Sequence, residues 1–155
     1  MWHKGELFDI SRDVWQSFSS KQLLKNEGVL EIEDLLSMQW FYCHLSSNFV
    51  VMLAIDLRVG YQLASDMLNT PVEGISGEDE QDAMIELMNC ICGRLDRDHP
   101  ANDCFELPRL LQPMEITLLL NKLHRLSDVT ASIGEQWFYI SLFEAEAAAK
   151  MDGSV

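Results

Sequence analysis

Two pairs of neighbouring apolar segments stand out along the chain. Residues 40–45 (WFYCHL) and 48–57 (NFVVMLAIDL) are rich in aromatic and β-branched side chains, which favour strands. Residues 127–133 (SDVTASI) and 136–143 (QWFYISLF) flank a Gly-Glu step at 134–135. Short apolar runs joined by a few polar or turn-forming residues are typical of β-hairpins, so the pattern predicts two of them.

Helical periodicity covers much of the remaining chain. Apolar residues at three- and four-residue spacing predict helices over 7–20, 61–68, 76–97 and 114–124. Partial alternation predicts a strand over 27–34 and a short extended piece over 105–111. The fold class is therefore mixed α/β (α+β), with a largely antiparallel sheet of hairpins packed against helices. We expect a single domain over 1–155, in which 145–155 is a frayed or helical tail.

The charge excludes some classes of partner. Asp and Glu number 25 against 11 Lys and Arg, which gives a net charge of −14. Phosphate backbones and anionic lipid headgroups are bound by clustered basic residues, so we expect neither nucleic acid nor membrane as a partner.

The longest apolar run, 49–55, is too short to span a bilayer, and the N-terminus has no signal-like apolar core. We therefore expect a cytoplasmic protein.

The cysteines and histidines do not predict a metal site. Cys90 and Cys92 are two residues apart on a predicted helix, where their side chains point about 200° away from each other. The four histidines are scattered over different elements. We expect reduced thiols and no metal or cofactor of the protein's own.

The helix over 76–97 raises a more specific question, because its apolar run IELMNCICG (85–93) contains Glu86 and Asn89. Burying either group without a partner would cost a few kcal/mol. On a wheel of about 100° per residue with Asp82 at zero, Glu86 lies near +40°, Asn89 near −20° and Gly93 near +20°. The apolar residues Met84, Met88, Ile91 and Leu95 lie on the opposite side. The wheel therefore predicts that neither polar group is buried.

Such a polar stripe has an ordinary reading and a functional one. Polar residues on the outer side of an amphipathic helix are common and need no function. However, Gly93 is in line with the stripe, and a helical glycine costs about 1 kcal/mol relative to alanine while allowing another surface to approach. A patch with an acid, an amide and a glycine is thus a candidate docking site.

The stretch DAMIELMNCICG (82–93) resembles the signature of the CheX-like chemotaxis phosphatases, which are related to CheC and FliY. Glu86, Asn89 and Gly93 match that signature in identity and spacing. A predicted strand and a short helix precede the signature helix and a hairpin follows it, as in that family. The resemblance implies a CheX/CheC-like domain with its signature helix at about 77–97.

The resemblance also implies a function. A CheX-like phosphatase removes the aspartyl phosphate of a CheY-like response regulator, and the receiver domain brings its own Mg²⁺. Carried over by position, Asn89 would orient the attacking water and Glu86 would pair with the receiver's lysine. Asp82, Ile85 and Gly93 would contribute to partner binding. The family resemblance further implies a homodimer formed by sheet extension, for which the strand over 136–143 is the candidate if it lies at an edge.

Two departures from the family pattern keep an alternative open. Ile85 occupies a position that is often glycine in the family, which favours a non-catalytic module that binds a receiver without hydrolysing it. CheC-type proteins carry a second Glu/Asn pair on their first helix, where this chain has only Asp13 and Gln16 at the same spacing. We therefore predict a single site.

Overall fold

A six-stranded antiparallel sheet forms the centre of the structure, a computed structural model that describes residues 5–45, 49–98 and 106–144. The helices are α1 (Glu6–Phe18), α2 (Ile32–Ser37), α3 (Leu57–Leu68), α4 (Gly77–Asp98) and α5 (Pro113–Lys122), with one 3-10 turn at Val72–Gly74. The strands are β1 (Leu24–Lys25), β2 (Gln39–His44), β3 (Phe49–Ile55), β4 (Arg109–Leu110), β5 (His124–Ile133) and β6 (Gln136–Glu144). The mixed α/β class predicted from the sequence is confirmed.

The two predicted hairpins make up most of the sheet. The strand order is β1-β5-β6-β3-β2-β4, and β2–β3 and β5–β6 are the antiparallel hairpins expected from the apolar runs. Six of the seven residues of β3 are buried, because β3 lies between β6 and β2 and both faces of the sheet are covered. Strand β6 lies between β5 and β3, so it is not available at an edge for sheet extension.

The two faces of the sheet are covered unequally. Helices α1, α3 and α4 pack on one face and enclose the larger core, which includes Trp15, Leu63 and Leu87. Helix α5 and the short helix α2 lie over the other face, around a smaller core that includes Trp40 and Tyr139. The rings of Trp40 and Tyr139 pack edge to face, with 6.1 Å between their centroids.

Three local predictions are corrected by the structure. The strand predicted over 27–34 is wrong: the chain there is irregular and then enters α2, which is held by reciprocal side-chain capping between Glu31 and Asp34. Helix α3 begins at Leu57, earlier than predicted, because the Asp56 carboxylate accepts a hydrogen bond from the Arg58 N–H at 2.8 Å. Within 106–111, the described part of the extended piece predicted over 105–111, the strand consists of the two residues of β4.

Some predictions fall where the structure is not described. The tail predicted at 145–155 and residues 99–105, which include the start of the extended piece predicted at 105, lie outside the described residues. Within the described ranges, no helix combines the length and the apolar character needed to cross a membrane.

Candidate functional site

Helix α4 begins at a well-defined cap. The Asp79 N–H donates to the Ser76 hydroxyl at 3.0 Å, and the Ser76 N–H donates to the Asp79 carboxylate at 3.2 Å. This reciprocal pair satisfies two amide groups that a helix start leaves free. The first turn also carries Glu78, Asp79 and Glu80, whose negative charge the helix dipole stabilises. The N-cap predicted at Ser76 is confirmed.

Helices α1 and α3 both pack against α4 and bury about half of its circumference. The buried side chains are Glu80, Ala83, Met84, Leu87, Met88, Ile91, Cys92 and Leu95. On the wheel they cover an arc from roughly 100° to 280°. The opposite arc faces outward and carries the polar stripe.

Glu86 is exposed at the middle of the helix, as the wheel predicts. The Cys90 thiol, one turn further on, donates to the Glu86 Oε1 atom at 3.5 Å. Partial burial of this thiol, together with the adjacent Glu86 carboxylate, raises the pKa of Cys90. The thiol therefore stays protonated at neutral pH and acts as a weak donor rather than as a nucleophile.

Asn89 differs from the prediction, because it is half-buried. Its Oδ1 atom is inaccessible to solvent and has no hydrogen-bond partner among the described residues. The reason is the width of the buried arc: Cys92 is fully buried at about −80° on the wheel, so Asn89 at −20° lies beside the border. An unsatisfied buried amide oxygen costs about 1–3 kcal/mol, and a molecule outside the chain could reach this oxygen only after the Asn89 side chain turns outward.

The three residues predicted to contact a partner lie around this pair. Asp82 is exposed one turn before Glu86, and Gly93 is half-buried one turn after Asn89. Ile85 is also half-buried and packs against the larger core. Its side chain is thus partly withdrawn from the surface that a partner would meet.

Arg94 is a further charged residue of α4, at the border of the buried arc, and the sequence analysis did not single it out. Its guanidinium lies 3.5 Å from the Asp13 carboxylate of α1, which also lies 3.5 Å from the guanidinium of Arg12. These ion pairs link α1 to α4. They also engage the acid of the Asp13/Gln16 pair, which disfavours a second site on α1.

Glu80 is the residue whose placement the sequence analysis missed most clearly. It is only 1% exposed, and its Oε1 atom accepts a hydrogen bond from the Gln39 amide at 3.0 Å. Its Oε2 atom has no partner within the part of the chain that the structure describes. Burial raises the pKa of Glu80, and the Gln39 hydrogen bond opposes this shift only in part. The helical wheel could have predicted this burial, because it places Glu80 near 160°, among the apolar residues.

Gly60 of α3 makes room for this carboxyl group. A Cβ atom at Gly60 would lie 1.9 Å from the Glu80 Oε2 atom and 2.8 Å from its Cδ atom. A side chain at residue 60 and the observed position of Glu80 therefore exclude each other. Glu80, Gly60 and Gln39 together hold the start of α4 against α3 and β2.

The described residues contain no cluster of three or more His, Cys, Asp or Glu that could hold a metal ion. Cys43, Cys90 and Cys92 are free thiols. Complete burial, with a further contribution from the neighbouring Cys43, raises the pKa of Cys92 well above its usual value. Cys104 lies outside the described residues.

Several solved structures share this arrangement of sheet and helices. A chain of the CheX–CheY–BeF3–Mg complex from Borrelia burgdorferi superposes with a TM-score of 0.64 at 13% identity, over 90% of this chain and 96% of that chain. CheX from Vibrio vulnificus gives a TM-score of 0.62 at 10% identity, over 89% and 93%. A CheC-like superfamily protein from Shewanella gives 0.58 at 15% identity, over 89% and 94%.

The chain has the CheX-type fold. The fold expected from the resemblance at 82–93 is thereby confirmed, and it extends over almost the whole length of each of these structures. No family model matches the sequence, and no curated protein matches it. At 10–15% identity the likeness is one of fold, and the role of the α4 side chains is a separate question.

Proposed function

We propose that this protein acts in chemotaxis-type signalling as a phosphatase for the aspartyl phosphate of a CheY-like response regulator. The observation that carries the proposal is the Glu86/Asn89 pair on α4, with an exposed carboxylate one turn from an amide whose Oδ1 atom is unpartnered. The fold supports the proposal, since one structure that shares it contains CheX together with CheY, BeF3 and Mg.

The proposed reaction is hydrolysis of an acyl phosphate. A water oxygen attacks the phosphorus atom in line, and the bond between phosphorus and the aspartyl oxygen breaks. Inorganic phosphate leaves with the new P–O bond, the aspartate carboxylate stays on the receiver, and the proton that the water loses passes to phosphate or solvent. Phosphoryl transfer of this kind depends on positioning and on charge stabilisation more than on covalent catalysis. The receiver's own Mg²⁺ and lysine would supply the charge stabilisation, so the task left to this chain is to position the water.

A carboxamide suits that task. The Oδ1 atom of Asn89 is buried in the described conformation, so the scheme requires its side chain to turn outward when the receiver docks. The amide can then accept a hydrogen bond from the attacking water, and it has no protonation step near neutral pH. Holding a water in attack geometry removes entropy from the barrier. Asn89 lies on a helix packed by α1 and α3, which fixes the position of its backbone.

Glu86 would set the docking geometry by pairing with the receiver's lysine. It is exposed and can be reached by a long cationic side chain. Asp82 extends the same acidic side of the helix by one turn, and Gly93 leaves space for close approach at the other end. In this scheme Glu86 and Asp82 contribute to binding and Asn89 contributes to the rate.

The test is a dephosphorylation assay with excess phosphorylated receiver, in which each enzyme molecule must turn over many times. Asn89→Ala is expected to lower kcat by about 100-fold or more while changing binding little, because water positioning contributes only in the transition state. Glu86→Ala is expected mainly to raise KM. Gln81→Ala, on the same helix but outside the stripe, is the matched control and should behave as wild type.

The assignment of the site fails if wild type accelerates phosphate loss and neither Asn89→Ala nor Glu86→Ala changes it. The alternative function, a module that binds a receiver without hydrolysis, is favoured by Ile85, which stands just before Glu86 where the family often has glycine. That module would bind the phosphorylated receiver through α4 and show no turnover. In that case Ile85→Gly, which introduces the glycine that the family often has at this position, would be expected to confer measurable hydrolysis.

A further inference from the structure

An open cleft lies where the C-terminal ends of α1 and α3 meet. Its volume is about 570 Å³, which is within the range of small-molecule sites. Residues at the end of each helix line it, among them Phe18, Ser20, Ser65, Asp66, Asn69 and Pro71. None of these residues belongs to the polar stripe of α4, so the cleft is separate from the candidate site described above.

Asp66 contributes a carboxylate to the cleft, and uncharged donors hold that carboxylate in place. The Oδ2 atom of Asp66 accepts a hydrogen bond from the Ser19 hydroxyl at 2.7 Å, and the Oδ1 atom accepts one from the Gln62 amide at 3.1 Å. The Ser19 hydroxyl in turn accepts a hydrogen bond from the Lys21 N–H at 3.2 Å, so its own proton is directed to Asp66. The carboxylate therefore has a fixed orientation before any ligand arrives.

The charge of Asp66 is not neutralised by a cation within the described part of the chain. The ion pairs found there involve other acids, namely Asp9, Asp13, Asp56, Glu115 and Asp128. A carboxylate can accept about four hydrogen bonds, so about two positions on Asp66 remain open. Because Asp66 is half-buried, a cation placed there would be attracted more strongly than at a fully solvated carboxylate.

The two helix ends add negative potential at the same place. The C-terminus of a helix carries a partial charge of about −0.5, which favours a nearby cation. Neither α1 nor α3 has a basic residue in its last turn to offset this charge. The hydrogen bond between Ser19 and Asp66 holds the two ends together, so their potentials combine with the charge of the carboxylate.

The rest of the cleft suits an aliphatic chain. Phe18 and Pro71 offer apolar surface in the same cleft as the carboxylate. A long cationic group can lay its methylene groups on such a surface and direct its charged head to an acid. A guanidinium matches Asp66 better than an ammonium, because its planar fork can use both open carboxylate positions and it is less strongly hydrated. A calcium or magnesium ion would need more oxygen ligands than one carboxylate supplies.

We propose that this cleft binds a small organic cation with a guanidinium head and an aliphatic stem. Asp66 anchors the head, and Phe18 and Pro71 contact the stem. The volume of about 570 Å³ admits a whole small molecule rather than one inserted side chain, which favours a free ligand over the arginine of a partner protein. The net charge of −14 also attracts a cation to the chain. The proposal does not depend on the phosphatase activity.

A titration of the full chain with n-butylguanidinium, followed by heteronuclear NMR, tests the cleft. The backbone amide signals of Ser20 and Asn69 should shift and reach saturation. The neutral isostere n-butylurea should bind at least about tenfold more weakly, because it lacks the charge that pairs with Asp66. Added salt should weaken the binding of n-butylguanidinium by screening this pair.

Three variants locate the binding. Asp66→Asn should weaken the binding of n-butylguanidinium by about tenfold or more, because it removes the charge at the anchor. Glu33→Gln on α2 removes the same charge from an exposed position outside the cleft, so it is the matched control and should bind as wild type does. Ser20→Arg supplies a guanidinium from the chain itself and should compete with the added one. Because Ser20 is exposed, this variant should fold even if circular dichroism shows that Asp66→Asn does not.

Three results would overturn the proposal: no saturable shift at Ser20 and Asn69, equal binding of the urea and the guanidinium, or wild-type affinity in Asp66→Asn. Should Asp66→Asn be unfolded, wild-type affinity in Ser20→Arg has the same meaning. An equal loss of affinity in Glu33→Gln would attribute the binding to the overall charge and would likewise reject the cleft.

Discussion

The two faces of the sheet differ in what they bury and in what they leave exposed. Under α1, α3 and α4 the core is extensive, and the outer side of α4 exposes polar groups such as Asp82 and Glu86. Under α2 and α5 the core is smaller, and the exposed residues include large apolar side chains such as Met114 and Leu118.

One domain thus carries two kinds of outer surface, one polar and one apolar. A polar stripe on a long, well-packed helix suits a transient partner, since its charged groups remain solvated when the partner leaves. An apolar patch on short helices suits a partner that stays bound, since exposure of the patch costs free energy whenever it is uncovered. The following predictions test whether the two faces are as different as their packing indicates.

The largest expected effect is the loss of stability when a buried leucine of α4 is truncated, measured against an exposed leucine of α5. Leu87 of α4 is fully buried, so Leu87→Ala should lower the free energy of unfolding by about 2–5 kcal/mol through lost burial and a residual cavity. Leu118→Ala on α5 should change it by no more than about 0.5 kcal/mol. Urea unfolding measures the change in free energy for both variants, and equal losses would contradict the contrast between the faces.

The junction between α3 and the start of α4 gives the next effect. Gly60→Ala should destabilise the protein by about 1–3 kcal/mol, because its Cβ atom would displace the Glu80 carboxyl group, and this exceeds the gain of about 1 kcal/mol that alanine brings to a helix. In a Glu80→Ala background the same change should become stabilising. A double-mutant cycle measures the coupling, and a cycle without coupling would show that residue 60 does not act through Glu80.

The smallest effect concerns the ionisation of Glu80. Burial raises the pKa of Glu80 in the folded state. The neutral carboxyl group therefore contributes fully to stability below the unfolded-state pKa of about 4.3, and this contribution is lost as pH rises through the folded-state pKa. Glu80→Gln removes this loss and keeps an acceptor for Gln39. The variant should therefore melt about 2–4 °C above wild type near pH 7, an effect on the order of 1 kcal/mol.

That advantage should disappear as pH falls below about 4. Thermal unfolding across this pH range is the measurement. Glu78→Gln, an exposed residue on the same turn, is the matched control. An equal gain in the control would attribute the effect to net charge rather than to burial of Glu80.

Much of the fold could be predicted from the sequence because its signals are local. The hairpins follow from strand-forming runs joined by short turns, and the start of α4 follows from the Ser76 cap. The strand predicted over 27–34 failed because partial alternation in a short segment competes with local capping, and the reciprocal Glu31–Asp34 contacts favour a helix there.

The candidate site could be predicted only in part. The wheel gives the direction of Glu86 correctly, since that residue points to the centre of the exposed arc. It does not give the burial of the Asn89 Oδ1 atom, because the width of the buried arc depends on two neighbouring helices. The placement of β6 inside the sheet was not predictable either, since strand order is set by tertiary packing rather than by the pattern of a single strand.

The cap at Ser76 and the Gly60–Glu80 junction fix α4 at its beginning, several residues before the stripe starts. Side chains that determine how α4 is held are thus distinct from those that an incoming molecule would touch. Substitution of Asp82 or Glu86 is therefore expected to change the outward surface of α4 while its attachment to α3 and β2 stays intact.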